Sequence, residues 1–353
     1  MCRAAFFLSA LLASVVVPVT WSGAATPAPA QEMAQEPAQE KGEGATTSPE
    51  ATTPPTLPDI SAPIDPDPDT VKRSRFSDRP SDAAYGAYQR GYYLTALKLA
   101  TPLALEGDAA SQTLIGEIYS RGLGVRRDLG TAIEWYGKAA EQKMPEAMFQ
   151  LAMVLHDGGD AFGDRPRAAS LIEQAAEAGH KLAQFNFAQI LVDSDASLKG
   201  QERAASYYEK AANAGLADAQ YAMAEIYRQG FAGRPVDLVK TRHWLELAAP
   251  QNHDTAQIEL GAMMVEGEGG ARDEKAGFAW LMRAAVAGNA AAQNRVALLY
   301  RSGIGVEPDR VAAASWYLRA RRAGLSDAVM EDQLDGLTDE ELEQARKQAE
   351  TLG

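Results

Sequence analysis

Histidines are the first side chains to consider in this sequence, because they serve as metal ligands and as acid–base catalysts near neutral pH. The four are His156, His180, His243 and His253. No two of them form a His-x3-His pair or a similar ligand spacing, which a zinc site on a helix would need. We therefore expect these histidines to bind no metal.

The other candidate residues also favour structural roles. Asp157, Asp160 and Asp164 lack the alternating ligands, the fixed glycine and the terminal glutamate of a calcium loop, so we interpret them as solvated turn carboxylates. Ser170 is not in a Gly-x-Ser-x-Gly turn. The glycines of residues 267–270 lack the Lys-Ser/Thr that ends a phosphate-binding loop. The sequence predicts no catalytic residue, no cofactor and no small-molecule substrate, and hence no enzyme.

Composition excludes several partner classes. The chain has 34 Lys and Arg against 48 Asp and Glu, a formal net charge of −14. A nucleic-acid or membrane-surface binder needs clustered cations that this chain does not supply. Aromatic residues are only 7% and alanine is common, which favours closely packed helices over sheets. Cys2 is the single cysteine, so a disulfide framework is excluded.

Residues 1–25 predict a secretory signal peptide. Arg3 precedes an apolar run over residues 4–19, and small residues follow it. Two cleavage pairs fit, Ser22-x-Ala24 and Ala28-x-Ala30. An N-terminal membrane anchor is the alternative, although the run is shorter than the ~20 residues that span a bilayer. Cleavage would leave a periplasmic or secreted protein with no membrane span.

Residues 26–80 predict a disordered tether. This segment holds eleven of the eighteen prolines, most densely in Asp65-Pro66-Asp67-Pro68-Asp69. Residues 31–60 show no apolar period of 2 or 3.6, so no apolar surface offsets the entropy of ordering. A tether would hold the folded part away from a membrane or wall. A spacer without a selected role is the alternative.

From residue 108 onward the sequence repeats itself about every 36 residues, which is typical of a solenoid. The first marker of the repeat is Ser111-Gln112, Ala147-Met148, Ala183-Gln184, Ala219-Gln220, Ala256-Gln257 and Ala292-Gln293. The second marker is Ala139-Ala140, Ala175-Ala176, Ala211-Ala212, Ala248-Ala249, Ala284-Ala285 and Ala320-Arg321. The fourth unit is one residue longer between its two markers. We expect that residue in the loop of residues 230–235.

The sequence pattern of each unit predicts two helices. In the first unit, apolar residues recur at helical spacing over residues 108–120. Gly122 and Gly124 end this helix, because glycine adopts the left-handed conformation without strain. Asp128 is expected to cap the second helix.

Two positions keep their size in all six units. Small residues fill the first position: Gly116, Ala152, Ala188, Ala224, Gly261 and Ala297. Large apolar residues fill the second: Trp135, Leu171, Tyr207, Trp244, Trp280 and Trp316. We expect the small position to face the large one in every unit, so that stacked units share a continuous core.

These runs resemble the Sel1-like repeat, a relative of the tetratricopeptide repeat. The residues that carry the resemblance are Gly107-Asp108-Ala109-Ala110-Ser111-Gln112, Leu114-Ile115-Gly116-Glu117-Ile118-Tyr119, Gly122-Leu123-Gly124-Val125, Asp128, Ala132, Trp135-Tyr136 and Ala139-Ala140. The last unit matches as closely, whereas units two and three depart from the pattern at the turn. The resemblance implies an all-α fold, an α/α superhelical solenoid of about six helix-turn-helix repeats that binds protein partners.

The ends of the repeat region predict caps. Residues 81–107 are expected to form an N-terminal capping half-repeat before the six repeats of residues 108–324. Residues 325–353 are expected to form a C-terminal capping helix, in which Thr338 and Glu341 make a capping box. A polar terminal helix shields the last stacked face from water.

The first helix of each unit is expected to line the concave face, so its outward positions should vary. One such position reads Glu117, Met153, Gln189, Glu225, Ala262 and Leu298. Another reads Ser120, His156, Val192, Arg228, Val265 and Arg301. We predict partner contacts at Glu117, His156, Gln189, Glu225, Arg228 and Arg301. Solvated helix faces are the alternative.

The sequence therefore predicts an exported, non-enzymatic scaffold for protein–protein interaction. The resemblance adds that some periplasmic Sel1-repeat proteins of alphaproteobacteria inhibit a sensor kinase by binding its extracytoplasmic domain. It implies an extracytoplasmic sensor domain or an envelope protein as the partner, with no nucleic acid involved. The alternative is a cell-envelope assembly or secretion accessory factor tethered by the Pro-rich segment.

Overall fold

The computed structural model describes residues 80–351 of the 353-residue chain. These residues form seventeen α-helices and one 3₁₀ turn, with no strand among them. The predicted signal peptide of residues 1–25 lies outside the described residues, and so does the predicted tether except for Pro80, the first residue of the first helix.

The helices follow one another as antiparallel pairs, each packed on the next. The leading pair is α1 (Pro80–Gln89) and α2 (Tyr93–Leu105). The first three units are α3 (Ala109–Arg121) with α4 (Leu129–Glu141), α5 (Pro145–Asp157) with α6 (Gly159–Phe162) and α7 (Arg165–Glu177), and α8 (Lys181–Ser194) with α9 (Leu198–Asn213). The last three units are α10 (Ala217–Gln229) with α11 (Leu238–Ala248) and a 3₁₀ turn (Ala249–Gln251), α12 (Asp254–Glu266) with α13 (Glu274–Val286), and α14 (Ala290–Ser302) with α15 (Arg310–Arg322). Helices α16 (Ala328–Asp335) and α17 (Asp339–Thr351) follow.

Polar side chains begin the second helices. The Asp128 carboxylate accepts a hydrogen bond from the Thr131 backbone N–H at 3.1 Å, which confirms the predicted cap. The corresponding caps in units two to six are Asp164, Ser197, Asp237, Asp273 and Asp309. Each cap satisfies a backbone donor that the first turn of a helix leaves free.

The extra residue of the fourth unit lies in the predicted loop. The loop between first and second helix has seven residues in units one, five and six (122–128, 267–273 and 303–309) and eight in unit four (230–237). Phe231 and Ala232 are buried in the longer loop, and Ala232 has a φ of 58°. The insertion is therefore packed into the core.

The connection between the two helices has a different structure in units two and three, whose sequences depart from the repeat pattern at the turn. The four-residue helix α6 replaces the glycine turn in unit two. In unit three, α8 and α9 are lengthened to 14 and 16 residues, and only residues 195–197 connect them. The two helices of each unit still pack against each other.

The small positions are buried in all six units, but at Gly116 and Gly261 they do not face the predicted large residue. A Cβ added to Gly116 would lie 2.7 Å from the Tyr136 ring, and one added to Gly261 would lie 2.7 Å from Leu281 Cγ. Each partner follows the predicted large position by one residue. Neighbouring helix residues point about 100° apart, so a shift of one residue selects another face.

The predicted large residues still take part in the core. Trp280 is only partly buried, while the other five are buried. Cations cover several of these rings: Lys138 lies 4.2 Å from the centre of Trp135, Lys210 lies 4.4 Å from Tyr207, and Arg283 lies 5.7 Å from Trp280. These rings therefore mark the boundary between core and solvent on the second helices.

The glutamine of the first marker connects consecutive units. Its side-chain Nε2 donates to the carbonyl of the residue eight positions earlier, at the end of the preceding helix. The bonds are Gln112 to Ala104, Gln184 to Ala176, Gln220 to Ala212, Gln257 to Ala249 and Gln293 to Ala285, at 3.0–3.2 Å. Unit two has Met148 at this position and lacks the bond. All five glutamines are buried.

Both ends contain more helices than the sequence predicts. The segment of residues 81–107 contains the helix pair α1 and α2, and the segment of residues 325–353 contains α16 as well as α17. Thr338 and Glu341 form the predicted capping box, with the Thr338 N–H donating to the Glu341 carboxylate at 2.8 Å. No helix in the described part of the chain is long and apolar enough to cross a membrane.

Candidate functional site

The first helices of the units line one side of the solenoid. At its beginning, α1 contacts α3 and α3 contacts α5, whereas consecutive second helices approach each other less. The closer approach indicates that this beginning of the solenoid curves toward the first helices, and we call the side that they line the concave face. The six predicted contact residues all lie on these helices.

Three of the predicted contact residues are exposed on this face. They are His156 on α5, Arg228 on α10 and Arg301 on α14. Gln189 on α8 is half-buried. Apolar side chains lie among them with partial exposure: Met153, Val154, Ile190, Val192, Val265 and Leu298. The face therefore combines two separated arginines and a histidine with accessible apolar area.

Glu225 does not point outward, contrary to the prediction. The residue is 1% exposed, and its carboxylate pairs with Arg228 at 2.6 Å and accepts from Gln229 Nε2 at 2.8 Å. The prediction assumes that corresponding helix positions are equally exposed in every unit. In α10, however, the whole stretch from Ala219 to Ile226 is buried. Glu225 therefore positions Arg228 and is not itself available to a partner.

Glu117 is also largely occupied within the chain. Its carboxylate accepts from the Tyr136 hydroxyl at 2.8 Å and pairs with Arg121 at 2.7 Å, and its side chain is 17% exposed. The Tyr88 hydroxyl lies 3.4 Å away. Burial and this carboxylate raise the pKa of Tyr88 to about 12, which keeps the phenol protonated. Glu117 therefore joins the leading helix pair to unit one.

A polar cluster that the sequence did not predict connects units four and five. The Tyr221 hydroxyl donates to Glu259 at 3.1 Å, and Arg228 lies 3.7 Å from the same carboxylate and 2.6 Å from Glu225. Burial, followed by the charge of Glu225, raises the pKa of Glu259 above its ordinary value. Burial also raises the pKa of Tyr221. Arg228 thus lies close to the carboxylates of both Glu225 and Glu259.

No sequence signal marks this cluster, because Glu259 occupies a third helix position. The other units have Leu114, Gln150, Asn186, Ala222 and Arg295 there. A carboxylate in one unit of six does not stand out in a position of mixed composition. Only the distance to Arg228 on the preceding unit shows its role.

The histidines divide into two pairs. His180 and His253 cap α8 and α12: Nδ1 accepts from the backbone N–H of Ala183 at 3.2 Å and of Ala256 at 3.1 Å. His156 and His243 are exposed. In the described part of the chain, no three His, Cys, Asp or Glu side chains come together as a metal site would require.

Comparison with known proteins follows the unit boundaries. The Sel1 repeat family model matches six consecutive segments, residues 109–144, 145–180, 182–216, 217–253, 254–289 and 290–325. Together they make up more than half of the chain.

Two solved structures share the architecture. The protective antigen c5321 of uropathogenic Escherichia coli, which displays an SLR fold, superposes with a TM-score of 0.61 at 25% identity, over 77% of this chain and 62% of that one. A Sel1 repeat protein from Oxalobacter formigenes superposes with a TM-score of 0.57 at 24% identity, over 71% of this chain and 100% of that one.

One curated relative matches over a short stretch. Chitin synthase regulatory factor 3 of Schizosaccharomyces pombe is 38% identical over 65 residues. The match covers 18% of this chain and 7% of that protein, so the relative is far longer than the shared segment.

Proposed function

The chain belongs to the Sel1 repeat family, and from that premise we propose that it is an exported scaffold that binds a protein partner through its concave face. Sel1 repeat proteins typically mediate protein–protein interaction and are generally non-catalytic. The six repeats and the solenoid fold predicted from the sequence are confirmed, and they carry the general form of this proposal.

We choose the concave face because residue types vary among the units at its outward positions and stay similar at the core positions. The small buried position holds only Gly or Ala in six units, whereas the position of His156, Arg228 and Arg301 changes charge and polarity from unit to unit. A repeat that serves only to stack its units has no requirement for this variety. Exposed arginines beside accessible apolar area are typical of protein interfaces.

We also propose where the protein acts and which class of partner it binds. The predicted signal peptide of residues 1–25 supports export to the periplasm or beyond it. The partner we propose is an extracytoplasmic sensor domain, with an envelope-assembly protein as the alternative. The name of the fission-yeast relative describes a regulatory factor, which is compatible with a regulatory role, over the 65 residues that match.

A crosslinked pull-down from the exported fraction tests the proposal. We expect Arg301→Glu combined with His156→Glu to lower recovery of the partner about tenfold, because both side chains are exposed on the concave face. The matched control reverses an exposed cation on a second helix, Arg283→Glu, and should leave recovery unchanged.

The identity of the recovered protein separates the two roles. A sensor domain supports regulation, and wall-building or secretion proteins support the envelope alternative. Equal loss of recovery in the control and in the concave-face variant would overturn the choice of face.

A further inference from the structure

The first helices of units four and six expose only positive charges. On α10 the exposed charged side chain is Arg228, and on α14 the exposed charged side chains are Arg295 and Arg301. Helix α12 of unit five follows α10 and precedes α14, and it exposes two carboxylates, Asp254 and Glu266, at its two ends. The whole chain has 48 Asp and Glu against 34 Lys and Arg, so these exposed arginines run against its composition.

The corresponding helices of units two and three have a different balance of charge. Helix α5 exposes two carboxylates, Glu146 and Asp157, beside His156, and α8 exposes Lys181 and Asp193. Carboxylates therefore outnumber Lys and Arg three to one among the exposed side chains of these two helices. The concave face is thus acidic in units two and three and cationic in units four and six.

Arg228 is held in place but keeps donors for a further contact. Its Nη2 lies 2.6 Å from the Glu225 carboxylate and 3.7 Å from the Glu259 carboxylate. No described residue accepts a hydrogen bond from its Nε or Nη1, and the side chain is 42% exposed. A guanidinium has five N–H donors in a fixed planar arrangement. Arg228 can therefore bind another carboxylate while Glu225 orients it.

Arg295 approaches the same cluster from unit six. Burial raises the pKa of Glu259 above its ordinary value, and the positive charges of Arg228 and Arg295 oppose this effect. The Glu259 carboxylate is therefore within electrostatic reach of one arginine from unit four and one from unit six. Neither Arg295 nor Arg301 forms an ion pair with a described residue. Both guanidinium groups are exposed and available.

Apolar area separates the two cations of α14. Leu298 is three residues from Arg295 and three residues from Arg301, and side chains at this spacing are neighbours on a helix surface. Leu298 is half-buried, and so is Val265, which occupies in unit five the position of Arg228 and Arg301. We name this surface the arginine strip: Arg228, Val265, Arg295, Leu298 and Arg301.

We propose that the arginine strip binds an acidic segment of the partner protein, in which carboxylates flank an apolar side chain. The inference rests on the proposed function, because it names the chemistry of the partner that the concave face binds. Carboxylates of the segment pair with the three arginines of the strip, and its apolar side chain packs on Leu298. Arginine suits this role because its planar guanidinium binds a carboxylate through two parallel hydrogen bonds.

A labelled acidic peptide tests the inference. The probe is Glu-Glu-Leu-Glu-Glu-Leu-Glu-Glu with a fluorescent label, and its anisotropy is measured with the full chain at low ionic strength. We expect saturable binding that weakens with added salt, and no binding of the peptide in which glutamine replaces glutamate. The formal net charge of −14 repels an acidic peptide, so binding requires a local cationic surface.

Arg295→Glu with Arg301→Glu should weaken this binding about tenfold, since two ion pairs are lost and two repulsive charges are added. Arg295→Lys with Arg301→Lys keeps the charge and should weaken it less, about threefold. The matched control reverses two exposed arginines on the second helix α7, Arg165→Glu with Arg167→Glu, and changes the net charge by the same amount. Its affinity should stay within about twofold of the native value. Circular dichroism checks that all variants fold.

Three results would overturn the inference: no saturable binding of the acidic peptide, an equal loss of affinity in the control, or tighter binding of a thymidine oligonucleotide than of the peptide. The last result would assign the strip to nucleic acid. Photo-crosslinking from position 156 separates this inference from the proposed function. A partner captured there without peptide binding refutes only the acidic chemistry, whereas peptide binding without any captured partner refutes only the proposed function.

Discussion

Gln220 shows how one side chain completes the backbone hydrogen bonding between helices in five of the six units. Its Nε2 donates to the Ala212 carbonyl at 3.2 Å, and its Oε1 accepts from Gln251 at 2.7 Å. The last carbonyls of a helix have no partner within that helix. The buried amide supplies a donor to one of them, where water has no access.

We expect Gln220→Met to lower the free energy of unfolding by about 1–2 kcal/mol. Methionine fits the space, as Met148 does in unit two, but it offers no donor to Ala212 and no acceptor to Gln251. Urea-induced unfolding measures the change. The exposed Gln174→Met is the matched control, with an expected change within about 0.5 kcal/mol, and equal effects of the two variants would contradict the account.

His253 couples a helix cap to pH. Nδ1 accepts from the Ala256 N–H, the ring stacks on Tyr221 at 4.7 Å, and Asp218 lies 3.7 Å from Nε2. Burial lowers the pKa of His253 below 6.5, and the charge of Asp218 offsets only part of this effect. As the pH falls below 6.5, the unfolded chain therefore binds the proton before the folded chain does, and stability is lost.

His253→Asn should reduce the loss of stability between about pH 7 and pH 5, because asparagine keeps the cap without titrating. Asn289 already caps α14 in this way. Thermal unfolding at a series of pH values checks the prediction, with the exposed His243→Asn as the control. If the two variants show the same pH dependence as the native chain, burial of His253 does not control it.

At the scale of elements, the junctions between units depend on one residue in the left-handed conformation. Glycine takes this position at Gly107, Gly179, Gly215, Gly288 and Gly324. Lys143 and Asn252 take it at the other two junctions, with φ of 61° and 63°. Asparagine tolerates this region, whereas lysine pays a steric cost through its Cβ.

Lys143→Gly should raise the free energy of unfolding by about 0.5–1 kcal/mol, since the relief of strain exceeds the entropy that glycine adds to the unfolded chain. The matched variant Asn252→Gly should gain less or lose stability, because Asn252 also accepts from Arg283 at 2.6 Å. Melting temperatures measured by calorimetry show which of the two variants gains more stability. A larger gain at position 252 would contradict the strain argument.

The sequence predicts elements better than it predicts which faces meet. Both repeat markers recur at the same spacing, with one extra residue in the fourth unit. The helix pairs, the Asp128 cap and the longer fourth loop could therefore be predicted from the sequence. Spacing within one helix does not fix its rotation against the next helix, and the partner of Gly116 was therefore misplaced by one residue. The sequence also does not show that Arg228 approaches Glu259, because this contact joins two units.

At the scale of the whole molecule, the repeat determines the fold and leaves the outward positions of the first helices free to vary. Two buried clusters of apolar side chains extend along the described residues. One runs from the leading helix pair through units one to four into α12, and the other runs from α12 to the C-terminal helices. Each unit contributes to a core that it could not build alone. The outward positions of the first helices differ from unit to unit, as Ser120, His156 and Val192 show at one of them.

Site-specific photo-crosslinking in the exported fraction tests the central claim that the concave face binds the partner. A photoreactive residue is placed at position 156 or 301 on the first helices, and at position 134 or 283 on the outer side of the second helices. We predict the same crosslinked protein from positions 156 and 301 and none from positions 134 and 283. The same protein captured from the outer positions and not from the concave ones would contradict the account.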